Sequence, residues 1–64
     1  MDYGKILIKV NDELNKKYNM LKHDNNAHDL GVKGYEHVDM AANYYRMETL
    51  DEVIRLIDKF VEEA

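Results

Sequence analysis

The sequence has no cysteine, no serine, no proline and no tryptophan, and only one threonine. Without Cys no disulfide can staple the chain, which fits a reducing compartment such as the cytoplasm. Without Ser or Cys, neither a Ser-His-Asp nor a Cys-His nucleophile can be assembled. Long apolar runs are also missing: the longest aliphatic stretch is Ile6-Leu7-Ile8, too short for a membrane span or a signal-peptide core. Basic charge is scarce. The net charge is −4, which argues against a protein that lives on phosphate backbones. Gly31 and Gly34 lack the spacing and the following Ser/Thr of a phosphate-cradling loop.

What remains is a chain of 64 residues, one small helical domain over 1–64. A chain this short buries only about 60% of the surface that its unfolded form exposes, so a lone core is marginal. Residues written with A/T-rich codons (Phe, Tyr, Met, Ile, Asn, Lys) number 27, against 9 for Gly, Ala, Arg and Pro. Such a bias is common in low-GC bacteria and their phages. The initial Met and the lack of a tag lead to the expectation of a complete small reading frame. Charge is uneven: residues 1–33 sum to +1 and residues 34–64 to −5, which makes the second half the acidic one.

Helical periodicity predicts three helices, near 3–22, 34–46 and 50–63, with a long polar loop at 23–33. In the first, Tyr3, Ile6, Leu7, Val10, Leu14, Tyr18 and Leu21 share an arc of about 120°. A short strand through Ile6, Ile8 and Val10 is the rival, but it leaves the later helical spacing unexplained. The stretch from His23 to Asp29 is polar and turn-prone, so it reads as a connection, with Leu30 and Val32 tucked against the core. The third helix opens on Thr49-Leu50-Asp51-Glu52, which has the spacing of a capping box. Its apolar residues Leu50, Val53, Ile54, Leu56, Ile57, Phe60, Val61 and Ala64 span about 160°. That is wide for one neighbour and suits a helix seated between two others, or one that meets another chain.

The middle helix shows two apolar stripes. Tyr35, Val38, Ala41, Ala42 and Tyr45 form the expected core face. Met40, Tyr44 and Met47 lie on the other side, bordered by His37, with Arg46 on the rim. This second stripe is the expected partner-binding surface, because Tyr, Met and Arg are enriched at interface centres. Its occupant is a protein target; a homodimer, or burial under the 23–34 connection, are the alternatives. A secondary acidic surface is expected at Asp51, Glu52, Arg55, Asp58, Lys59 and Glu62.

Other chemistries find less support. His23, Asp24, His28, Asp29, His37 and Asp39 gather in sequence, but match no ligand spacing, so no metal or cofactor is expected. Most carboxylates fall on solvated faces, and a chain of this size has little room for a water-excluding pocket, so catalysis is not expected. The Lys5, Lys9, Lys16 row and a short turn at Met47-Glu48-Thr49 resemble parts of a helix-turn-helix, but the would-be recognition helix is acidic. The function expected is a non-enzymatic protein-binding regulator. Its most specific form is an inhibitor from a phage or mobile element that blocks a host enzyme or defence complex, acting in the host cytoplasm. A small DNA-associated regulator or a homo-oligomeric structural protein is the alternative.

Overall fold

The structure, a computed structural model, describes residues 2–63. Among them the chain forms two long helices and no strand: α1 (Tyr3–Asp29) and α2 (Met40–Glu63), joined by residues 30–39. The expected three-helix domain is therefore corrected to a helical hairpin measuring 45 × 16 × 13 Å. Residues 5–10, where a strand was the rival reading, lie inside α1.

The helix ends explain the correction. Asp2 caps α1 by accepting the Lys5 N–H at 3.1 Å. The helix then runs through the polar stretch 23–29 and stops at Gly31. There the Val32 N–H donates to Ala27 O and the Gly31 N–H to His28 O, the paired bonds of a Schellman motif. Gly31 takes the left-handed φ of 73° that this closure requires. The second helix begins six residues later than expected, at Met40. Asp39 caps it, accepting the Ala42 N–H at 3.0 Å.

The Thr49 box is not a cap. Thr49 lies mid-helix and its hydroxyl donates to the Tyr45 carbonyl at 3.1 Å. Met47 and Glu48 favour helix, and α2 contains neither Gly nor Pro to break it. The predicted second and third helices are thus parts of one helix, and the 47–49 turn that a helix-turn-helix needs does not exist.

Burial follows a seven-residue repeat. In α1 the residues that lose most solvent contact include Leu7, Asn11, Leu14, Tyr18, Leu21, Asn25 and His28; in α2 they include Met40, Asn43, Met47, Leu50, Ile54, Ile57 and Val61. Their alternating spacings of three and four make the seam of an antiparallel coiled coil. Register is fixed near the bend by Asn25 and Asn43. The Asn43 Nδ2 donates to Asn25 Oδ1 at 3.0 Å, and Asn25 Nδ2 donates to the Met40 carbonyl at 3.4 Å. Stepping along the seam from that pair sets Leu21 opposite Met47, Leu14 opposite Ile54 and Leu7 opposite Val61. Toward the open end, Asn11 Nδ2 reaches Asp58 Oδ1 at 2.6 Å, which agrees with that register.

The connection packs on the end of the seam through polar contacts. Val32 to Tyr35 form a turn closed by Tyr35 N–H to Val32 O, with Gly34 at φ 96°. The His28 Nδ1–H donates to the Tyr35 carbonyl at 2.7 Å, and the Tyr35 ring meets the His23 ring edge-on at 5.7 Å. Leu30 and Val32, expected against the core, are exposed, Leu30 at 80%. Both follow the last seam layer, His28 with Met40, and so lie beyond the end of the helix pair. Ala64, expected in the apolar arc of the last helix, lies outside the described residues.

Candidate functional site

A two-helix hairpin has two broad faces, one on each side of its seam. On one side, Lys5, Ile8, Asp12, Asn15, Asn19, Lys22, Asn26 and Asp29 of α1 flank Ala41, Tyr44, Glu48, Asp51, Arg55, Asp58 and Glu62 of α2, by helical phase. This face is polar apart from Ile8, Ala41 and Tyr44. On the other side the same phase gathers Tyr3, Ile6, Val10 and Met20 of α1 with Val53, Leu56 and Phe60 of α2. These seven are exposed large apolar residues, and the same phase interleaves the charged Glu13, Lys17, Asp24, Arg46 and Glu63 with them.

The apolar face is uneven along its length. Its open-end half carries Tyr3, Ile6, Val10, Val53, Leu56 and Phe60. Its bend-side half holds a trough of about 540 Å³ between Lys17, Met20, Leu21 and Asp24 of α1 and Tyr45, Arg46, Thr49 and Leu50 of α2. The trough's lining draws Met20 and Arg46 to the same side independently of the phase argument.

The expected partner-binding residues do not form one surface. Met47 is core, only 8% exposed, and Met40 is half-buried at the first turn of α2. Both occupy the seam, because the interhelical register, not the short Ala41-Ala42 step, decides which face packs. Ala41 and Tyr45, expected in the core, are exposed instead. Tyr44 projects on the polar face, Arg46 rims the apolar trough, and His37 lies exposed in the connection. Of the five, Arg46 alone borders the exposed apolar face.

The acidic residues do fall together on and beside the polar face. Asp51 pairs with Arg55 at 3.1 Å, one helical turn apart, and Asp58 accepts from Asn11. Glu52, Lys59 and Glu62 are exposed beside them. Among the described residues no three His, Asp or Glu side chains come close enough to hold a metal ion. No described helix is long and apolar enough to cross a membrane.

The residues that sequence reasoning assigned elsewhere are Val53, Leu56 and Phe60, placed in a single core arc, and Ile6 and Val10, placed in the first helix stripe. The signal was the 160° width of the last apolar arc. With one helical neighbour available, half of that arc stays uncovered. Comparison with protein-family models, with curated proteins and with solved structures returned no match to this chain.

Proposed function

We propose that this chain is a non-enzymatic protein-interaction module, a small regulator that acts by occupying a surface. The observation that carries the reading is the one-sided apolar face from Tyr3 and Phe60 to Met20. Exposed apolar clusters of this kind, interleaved with and bordered by charge, mark association sites. The narrower form, an inhibitor from a phage or mobile element directed at a host enzyme or defence complex in the host cytoplasm, draws support from the A/T-rich composition and the small size.

The test compares faces. Tagged wild type, a Leu56→Glu/Phe60→Glu variant and an Asp58→Lys/Glu62→Lys variant are used to capture proteins, untagged copies of this chain included. The reading expects the first variant to lose what the wild type binds and the second to keep it. Loss only with the polar-face variant would move recognition to the acidic side.

A further inference from the structure

The partner that best fits the apolar face is a second copy of this chain. We infer that two hairpins pair face to face and antiparallel, the open end of each lying on the bend-side trough of the other. The inference rests on reading that face as an interaction surface, and names its occupant.

Area is the first argument. A compact folded chain of 7.6 kDa exposes about 4,300 Å². This hairpin exposes 5244 Å². The excess, about 900 Å² against that scaling, is close to the roughly 800 Å² per partner that a standard stable interface buries. With overall extents of 45 × 16 × 13 Å, each long side of the hairpin is on the scale of such a footprint. Pairing would therefore bring each chain to the exposure of an ordinary compact protein.

Self-complementarity is the second argument. Bulk sits at one end of the face, in Phe60, Leu56 and Ile6, and the empty trough at the other. A twofold axis across the middle of the face brings each copy's bulk onto its partner's trough, and both contacts form at once, as a closed isologous dimer requires. The parallel arrangement stacks bulk on bulk and trough on trough.

Charge is the third argument. Lys17 and Arg46 on the trough rim make no ion pair among the described residues, and with Asp24 they leave that rim net positive. Glu63 lies on the same face as Phe60 at the open end. In the antiparallel arrangement α2 crosses its partner's α2, and Glu63 approaches the end of the face that carries Arg46.

The experiment is sedimentation equilibrium of the full chain, with a distance measurement between spin labels at His37→Cys, unambiguous because the chain has no native Cys. The inference expects a mass twice 7.6 kDa. It also expects the two labels, one on each bend, to stand apart by a distance comparable to the 45 Å hairpin length. Phe60→Asp should weaken dimerisation by at least about a hundredfold, and Arg46→Glu by about tenfold. Arg46 is exposed and outside the buried seam, so Arg46→Glu still reads the interface if Phe60→Asp unfolds the chain. A folded helical monomer across the concentration range overturns the inference, as does a dimer with labels closer than half the hairpin length. If the monomer still binds other proteins and loses them with Leu56→Glu/Phe60→Glu, the interaction surface stands and only its occupant was misidentified.

Discussion

Asn25, at 2% exposed, is the most buried polar side chain described, and its partner Asn43 is nearly as enclosed. An amide pair in a coiled-coil seam contributes less stability than leucines would, but a slipped register leaves both amides unsatisfied. Asn25→Ala orphans Asn43 and should cost about 1–3 kcal/mol in urea melts. Asp39 and Thr49 give opposite signs. Asp39→Ala should cost about 1 kcal/mol, since Asp39 is the true cap of α2. Thr49→Ala should be neutral or stabilising by a few tenths of a kcal/mol, because a mid-helix Thr bonded to its i−4 carbonyl is a weaker helix former than Ala. Thermal melts of the two variants, read by CD, check both. Glu36 supplies a pH-dependent contact. Its own backbone N–H and that of Gly34 donate to the carboxylate, which holds its pKa below the ordinary 4.5. A depressed pKa means that the contact is fully present above 4.5 and is lost as pH falls through the lower folded value. The Gly34 amide shift should titrate with a midpoint under 4.5 and be flat in Glu36→Gln.

At the level of elements, helix content and the end of α2 were legible, while helix number was not. Two local signals misled for the same reason. The Thr49-x-x-Glu52 spacing and the Asn/Asp-rich stretch 23–29 both favour non-helical backbone in isolation. Tertiary pairing overrides each one: Met47 and Leu50 anchor α2 through the false cap, and Asn25, Ala27 and His28 anchor α1 through the false loop. The heptad was hidden because Asn11, Asn25, His28 and Asn43 occupy seam positions that an apolar pattern search skips. At the site, the 160° arc of the last helix is wider than one neighbouring helix covers, which leaves Val53, Leu56 and Phe60 exposed, while Met40 and Met47 are seam residues that only the interhelical register identifies. Glu48→Pro separates the two architectures. A three-helix chain would accept proline in a 47–49 turn; the continuous α2 should lose about 3 kcal/mol or more, visible as collapse of the helical CD signal and of the urea midpoint.

The molecule as a whole is a long, thin object with its polar lock near one end. That asymmetry orders events in time. Contacts at the bend join residues close in sequence: 7 apart for His28 and Tyr35, 18 for Asn25 and Asn43. The open-end contact of Asn11 with Asp58 spans 47 residues. Closing the Asn11–Asp58 loop directly costs about 0.9 kcal/mol more chain entropy than closing the Asn25–Asn43 loop. Once the bend is made, each further seam layer closes only a few added residues, so the chain zips from the Schellman turn outward. Stopped-flow kinetics should then divide the sequence along its length. Gly31→Ala, which forces a side chain into left-handed backbone with no neighbour within 4 Å to blame, and Asn43→Ala should slow folding. Ile57→Ala and Val61→Ala should leave the folding rate nearly unchanged and speed unfolding. The open end is therefore the last part to form and the first to part, and it is the same end that carries the exposed Ile6, Leu56 and Phe60.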